Sequence, residues 1–210
     1  MQGLSFKAAC AVTASAALVL GHGASLEAQT NPRSTFPGRR VGGGTRGECN
    51  ARTLVHLVPE SSVFAPGADG TLALVQGPTV NPVSLTMRFE PEAGGVPTRQ
   101  TLQAASAGLT LISGAAVATS TVWESSFDCS SADASGGADP LSFVQSSSPP
   151  ALSLLLPEAE ASDQLVQSVL SSLRLRCGAT VPAKETLAQF GLADLVTEEW
   201  PQQLPVRCPS

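Results

Sequence analysis

The stretch Val83-Ser84-Leu85-Thr86-Met87-Arg88-Phe89 alternates strictly between apolar and polar side chains. Successive side chains of a β-strand point to opposite faces of the sheet. The pattern therefore places the odd-numbered, apolar side chains on a buried face and the even-numbered, polar ones toward solvent. One buried and one solvated face is typical of a strand in an antiparallel sheet.

Further short apolar stretches flank this strand on both sides, and turns rich in Gly and Pro separate them. Strands at intervals of about ten residues, divided by such turns, favour a β-sandwich. We therefore expect an antiparallel, immunoglobulin-like β-sandwich domain over residues 49–146. Its other strands are predicted at residues 53–58, 72–75, 99–103, 109–113, 116–127 and 141–145.

The pattern changes after residue 146, and residues 147–210 are predicted to form an α-helical C-terminal region. Ser146–Pro150 can begin a short helix, and Glu158–Arg176 repeats apolar residues at helical spacing. Two shorter helices are predicted at residues 182–190 and 192–200. The expected fold class is α+β, a sandwich followed by helices.

The N-terminus has the pattern of a secretory signal peptide over residues 1–28. Lys7 precedes an apolar run from Ala8 to Leu20, and small or polar residues follow as far as Ala28. Cleavage is expected after Ala28, with Ala24 and Ser25 as alternative sites. We expect an exported protein, periplasmic or extracellular. The mature chain has no apolar run near the 18 residues that indicate a membrane span, so none is expected.

Charge is distributed unevenly along the chain. Residues 31–52 hold five arginines and one glutamate, a net charge of +4, whereas residues 53–210 hold six basic and fifteen acidic residues, a net charge of −9. An acidic body is a poor partner for nucleic acid. The basic segment could instead contact an anionic surface polymer, an envelope protein or the acidic body itself.

Residues 29–48 form a Gly/Arg-rich segment, called here the N-terminal arm. Gly42–Gly47 matches the G-x-G-x-x-G pattern, but the strand before it and the helix after it that a dinucleotide site needs are missing. The simpler interpretation is an arm that leads into the first strand. The alternative is an anion site, with Arg39, Arg40 and Arg46 binding an anionic polysaccharide.

Signal cleavage would remove Cys10 and leave Cys49, Cys129, Cys177 and Cys208. Four cysteines in an exported chain indicate two disulfides, with three possible connectivities. We favour Cys49–Cys129 and Cys177–Cys208. The cysteine spacing does not suit a zinc site, and neither a metal ion nor a cofactor is expected.

The chain resembles a cyanobacterial family of exported proteins of unknown function. The resemblance rests on the signal peptide, the segment Pro37–Gly47 ending before Cys49, the motif Trp123–Cys129 and the tail Leu187–Leu195. It implies an exported sandwich with a helical tail and no particular reaction. The chain departs from the family in a less aromatic strand at 83–89 and in Leu192-Ala193, where aromatic residues are usual.

Candidate catalytic residues are few. His56, the only histidine of the mature chain, alternates with Val55 and Leu57 and is expected at a surface or sheet edge rather than as a general base. Glu90 and Glu92 could act as a carboxylate pair in glycoside hydrolysis, although a solvated turn is the simpler interpretation. Trp123 is expected in the core.

A calcium ion could bind to the carboxylates of Asp128, Asp133 and Asp139, but these residues match no known loop pattern. Two functions follow from these observations. The first is a non-enzymatic binding or structural protein of the cell envelope, and the alternative is a carboxylate-dependent hydrolase acting on envelope polysaccharide. The nearly complete lack of catalytic motifs favours the first.

Overall fold

Two β-sheets and a helical layer make up the residues that the computed structural model describes, namely 31–44, 52–114, 116–128 and 149–209. Outside these ranges lie the predicted signal peptide, Arg46, Cys49, Cys129 and the strand expected at 141–145. The strands are β1 Val41–Gly44, β2 Arg52–His56, β3 Val63–Phe64, β4 Thr71–Gln76, β5 Leu85–Pro91, β6 Thr98–Leu102, β7 Gly108–Ser113, β8 Thr121–Phe127, β9 Ala151–Leu155, β10 Thr180–Pro182 and β11 Gln203–Arg207. The helices are α1 Pro32–Thr35, α2 Ala161–Arg174 and α3 Ala183–Ala188, and a 3-10 turn spans Ala193–Leu195.

The described strands form a six-stranded sheet in the order β1-β2-β4-β7-β11-β10 and a five-stranded sheet in the order β3-β9-β8-β5-β6. The predicted α+β sandwich is confirmed at this level. The expected purely antiparallel, immunoglobulin-like arrangement is not confirmed, because both sheets are mixed: β11 runs parallel to β7 and β3 runs parallel to β9. A parallel pair needs a long crossover between its strands, and the chain from β7 to β11 supplies one.

The C-terminal region is not wholly helical as expected. Residues 151–155, placed at the start of a short helix, form β9 and pair with β8. Strand β10 lies between α2 and α3, and β11 follows the helices and inserts Leu204 and Val206 into the core. Pro205 makes β11 hard to predict from the sequence, because proline lacks the N–H that a strand ladder uses. The ladder with β7 is not interrupted, since β7 pairs only with Val206 and Arg207.

Helix α2 covers the face of the six-stranded sheet that is turned away from the other sheet, and it packs on β4 and β7. Its buried apolar residues are Val166, Val169, Leu170 and Leu173. The six-stranded sheet is therefore covered on both faces. None of the described helices has the length and apolar character needed to cross a lipid bilayer.

The described part of the N-terminal arm closes one edge of the sandwich. Arg39 exchanges main-chain hydrogen bonds with Leu152 of the five-stranded sheet, at 2.9 and 2.8 Å. Two residues later, β1 pairs with β2 of the six-stranded sheet, Val41 opposite Val55. The arm thus joins the two sheets, and the interpretation as a lead into the first strand fits these contacts better than an unattached anion site.

Gly42 explains why this part of the arm is rich in glycine. A Cβ atom at this position would contact the amide nitrogen of Ala151 and lie 2.7 Å from the Pro150 carbonyl carbon. These obstacles are main-chain atoms, which cannot move aside as a flexible side chain can. The chain therefore needs glycine here because β1 lies directly against the backbone that enters β9.

A buried ion pair fastens the beginning of the arm to helix α2. Arg33 reaches Asp163 with both terminal nitrogens, at 3.2 and 2.6 Å, and the Asp163 side chain is 0% exposed. The same carboxylate accepts hydrogen bonds from the main-chain nitrogens of Ala65 and Glu160, at 3.2 and 2.8 Å. Asp163 therefore joins the arm, the segment after β3 and the first turn of α2.

The structure also pairs Cys177 with Cys208, the second of the two disulfides that the sequence favours. The Cα atoms are 5.7 Å apart. The bond links the turn after α2 to the end of β11. It closes a loop that contains β10, α3 and the 3-10 turn, and it constrains the unfolded chain more than the folded one.

Replacing Gly42 by alanine tests the close approach of β1 to β9. We expect the Gly42→Ala variant to lose about 1–3 kcal/mol of unfolding free energy, because its Cβ atom forces the two backbones apart. Urea denaturation measures the change. Gly114→Ala is the matched control, since its Cβ atom would meet a single carbonyl oxygen at 3.2 Å. Equal stability of both variants would contradict the close approach.

Replacing Asp163 by asparagine tests the ion pair that anchors the arm. Removing the buried member of this pair leaves only the exposed Glu160 carboxylate opposite the Arg33 charge, and we expect a loss of about 3–5 kcal/mol of unfolding free energy. Glu160→Gln is the control, because Glu160 also contacts Arg33 but its side chain is 57% exposed. That change should cost less than about 1 kcal/mol. Similar losses in both variants would show that Asp163 has no special role.

Candidate functional site

A cleft of about 530 Å³ opens between the two sheets at one end of the sandwich. Leu72 and Ile112 of the six-stranded sheet and Leu155 of the five-stranded sheet form its buried apolar floor. The other residues that line it are Gly70, Phe89, Thr98, Arg99, Gln100, Ser113, Gly114, Ala116, Val117, Ala118 and Thr121. An apolar floor with a polar rim is a common form of ligand site.

Two local features create the opening. Gly70 has a φ of 59°, in the left-handed region that favours glycine, and its carbonyl oxygen accepts a hydrogen bond from the Gly114 nitrogen at 3.3 Å. This contact holds the segment after β7 against the turn before β4. On the opposite side, Thr98 and Gln100 of β6 are exposed and line the cleft.

A row of stacked rings stands behind the cleft. Phe89, which lines the cleft, lies parallel to Trp123 with 6.2 Å between ring centroids. The Trp123 indole in turn stacks on the His56 imidazole, with centroids 3.5 Å apart and planes 7° from parallel. Trp123 is 0% exposed, which confirms its expected place in the core. The wall of the cleft is therefore held in position by the centre of the sandwich.

His56 is not at a surface or an edge as predicted, since it is 0% exposed at the centre of the molecule. Its Nδ1 lies 2.8 Å from Ser153 Oγ and its Nε2 lies 2.8 Å from Ser125 Oγ. In a neutral imidazole one nitrogen donates a hydrogen bond and the other accepts one, so each ring nitrogen has a serine hydroxyl as its hydrogen-bond partner. The prediction failed because β2 belongs to the sheet that is covered on both faces. In such a strand, a polar residue that alternates with apolar ones does not have to face solvent.

Burial lowers the pKa of His56 well below its ordinary value of 6.5, because the charged form loses its hydration. A neutral ring hydrogen-bonded at both nitrogens has no free lone pair with which to take a proton from a substrate. The two serines are themselves buried. This His-Ser-Ser group therefore acts as a link between sheets, from β2 to β8 and β9, rather than as a catalytic site.

The arginines expected to bind an anionic polymer have different surroundings. The Arg40 side chain donates to the carbonyl oxygens of Val58 and Phe190, at 3.0 and 2.8 Å, and its partial burial lowers its pKa. Arg39 is exposed and donates through Nε to the Pro150 carbonyl at 3.3 Å. Arg46 lies outside the described residues. Arg40 is thus occupied in holding the arm against the body.

The candidate acidic residues do not converge on the cleft. Glu90 forms an ion pair with Arg88 at 2.6 Å, and Glu92 is exposed in the turn after β5. Neither lines the cleft. Asp128 is exposed at the end of β8, while Asp133 and Asp139 lie outside the described residues. Within the described ranges, no three His, Cys, Asp or Glu side chains group as they would around a metal ion.

The sequence alone does not predict the cleft, because its residues come from six different strands and from the segment before β8. The one signal for it in the sequence is Phe89, the aromatic end of the alternating strand, whose place in the pattern predicts a core residue. Comparison with known proteins adds no template, since no family model, curated protein or solved structure matches the chain. Function is therefore inferred from the geometry and chemistry of the described residues.

The buried imidazole gives folding a defined pH dependence. Below pH 6.5 the unfolded chain takes up a proton at this residue and the folded chain does not, until the lower pKa of the folded state is reached. The stabilisation of the folded state by His56 should therefore be fully present above pH 6.5. Its contribution should fall by about 1.4 kcal/mol per pH unit as the solution is acidified through that window.

Urea denaturation at several pH values measures this dependence. His56→Gln is the comparison, because an amide can bond to both serines without titrating. The variant should show a shallower loss of stability between pH 6.5 and the onset of carboxylate titration, near pH 4.3 for glutamate. Identical slopes in the two proteins would contradict a buried neutral His56.

Proposed function

We propose that this chain is an exported, non-enzymatic binding protein of the cell envelope whose ligand site is the cleft at the end of the sandwich. The observation that carries the proposal is the form of that cleft. Buried Leu72, Ile112 and Leu155 form its floor, Phe89 forms its aromatic wall and Thr98 and Gln100 form its polar rim. Such a site can bury an apolar group and orient it through the rim.

Binding is favoured over hydrolysis by the chemistry of the lining. Arg99 carries the only charge among the lining residues, all of which belong to the described part of the chain. Carboxylate-dependent hydrolysis needs two carboxyl groups on either side of the scissile bond. Glu90 is instead paired with Arg88, and the other candidate, Glu92, lies away from the cleft. The two glutamates therefore do not make a hydrolytic site at this cleft.

Export to the periplasm or the cell exterior is supported by the N-terminal sequence pattern, and the resemblance to the cyanobacterial exported family agrees with it. The disulfide between Cys177 and Cys208 is also in keeping with an oxidising compartment. We include membership of that family in the proposal. Its partner is expected to be an envelope protein or polysaccharide, recognised without a cofactor.

Filling the cleft tests the proposal. Ala118 is exposed and lines the cleft, so Ala118→Trp should occupy the space and reduce retention of the mature protein on isolated cell envelopes at least tenfold. Ala179→Trp is the matched control, because Ala179 is equally exposed and does not line the cleft. Co-sedimentation with washed envelopes measures retention.

If Ala118→Trp is retained on envelopes as well as the wild-type protein, the cleft is not the binding site. Equal losses in both tryptophan variants would show that retention does not depend on a particular surface. Circular dichroism and thermal unfolding of each variant establish that the fold is intact.

A further inference from the structure

Strand β6, Thr98–Leu102, forms an open edge beside the cleft. It is the last strand of the five-stranded sheet and pairs only with β5 among the described strands. Four of its five residues are exposed. An edge strand with accessible main-chain groups can accept another extended chain as an additional strand.

The hydrogen bonds beside β5 determine which main-chain groups of β6 are free. Next to β5, the Asp128 nitrogen donates to the Ser84 carbonyl and the Glu92 nitrogen donates to the Ser120 carbonyl, both at 2.9 Å. Even-numbered residues of β5 therefore bond toward β8, and odd-numbered residues bond toward β6, because the direction alternates along an antiparallel strand.

It follows from the register that Thr98, Gln100 and Leu102, opposite Phe89, Met87 and Leu85, use their main-chain groups to bind β5. The N–H and C=O groups of Arg99 and Thr101 point the other way, to the open edge. Two residues with both groups free can form four hydrogen bonds to an added strand.

The two faces of this edge differ in chemistry. The Thr98 and Gln100 side chains line the cleft, so a residue added beside them would face the apolar floor at Leu72 and Ile112. The Arg99 and Thr101 side chains alternate to the opposite face of the strand, and Arg99 also borders the cleft at its rim. A partner strand is thus offered an apolar site on one face and a cation on the other.

The positive charge of Arg99 is not paired with an acidic side chain among the described residues. Arg99 lies directly opposite Arg88 across the β5–β6 ladder, and like charges in this position repel each other. Glu90 neutralises Arg88, whereas Arg99 makes no ion pair with any described residue. An acidic side chain on an added strand would relieve this repulsion.

We propose that β6 binds an extended acidic peptide segment of a partner protein, in which acidic residues beside Arg99 alternate with apolar residues that enter the cleft. This inference rests on the proposed binding function and names the class of ligand. A polysaccharide lacks the regularly spaced N–H and C=O groups that would pair with the main-chain groups of the open edge. A second copy of β6 fits poorly, because Thr98-Arg99-Gln100-Thr101-Leu102 supplies no acidic residue.

The direct test measures binding of a capped, fluorescein-labelled heptapeptide, Thr-Glu-Val-Glu-Val-Glu-Val, by fluorescence anisotropy. Thr101→Pro removes an N–H that points to the open edge and leaves the bonds to β5 in place. It should weaken binding at least tenfold. Thr101→Val keeps the N–H and should bind within twofold of wild type.

Charge recognition is tested with a second peptide in which lysine replaces each glutamate. Wild-type protein should prefer the acidic peptide, and Arg99→Glu should reverse that preference. A peptide methylated on its main-chain nitrogens, tested on the wild-type protein, should bind at least tenfold more weakly. This last measurement remains decisive if Thr101→Pro fails to fold.

The proposal is overturned if the acidic peptide does not bind, if Thr101→Pro binds it as well as wild type, or if the lysine peptide binds equally well. A dimer in sedimentation velocity that Thr101→Pro abolishes would identify a second copy as the occupant instead. If peptide binding fails while Ala118→Trp still loses envelope retention, the edge proposal fails and the cleft function stands. If the peptide binds while Ala118→Trp retains envelope binding, the cleft is not the envelope site and the proposal for the β6 edge stands.

Discussion

The hydrogen bonds of His56 to Ser125 and Ser153 hold the two sheets in a fixed relation at the centre of the sandwich. They cross from β2 to β8 and β9, and a buried polar group left without such a partner costs about 1–3 kcal/mol. The imidazole also supports Trp123, and Trp123 supports Phe89 at the wall of the cleft. The shape of the surface site therefore depends on an interaction in the core.

The N-terminal arm completes this arrangement from outside. Gly42 lets β1 approach the backbone entering β9, Arg33 binds the buried Asp163 of α2, and Arg40 joins the end of β2 to α3 through two carbonyls. Two features of the arm that resemble a ligand site in the sequence, Gly42 and Arg40, are thus explained by contacts within the molecule. The open surface lies elsewhere, where β6 and the loop before β8 are left uncovered.

Local patterns predicted β2, β4, β5, β6, β7 and α2, because each has a clear periodicity of its own. Strand β9 was missed since Ala151-Leu152-Ser153-Leu154-Leu155 follows a capping signal and suits a helix equally well. The position of His56 depends on β2 lying between two layers, which no local pattern records. The cleft and the direction of β11 depend on tertiary contacts between distant segments, so the sequence offered little sign of either.

The central claim is that ligands bind at the cleft and the adjoining edge of β6. Hydrogen–deuterium exchange of the mature protein, with and without a solubilised envelope fraction, tests it most directly. The account predicts that residues 98–102, 112–114 and 116–118 become protected, while the arm at residues 39–42 does not change. Protection confined to the arm, or spread over the face of α2, would contradict it.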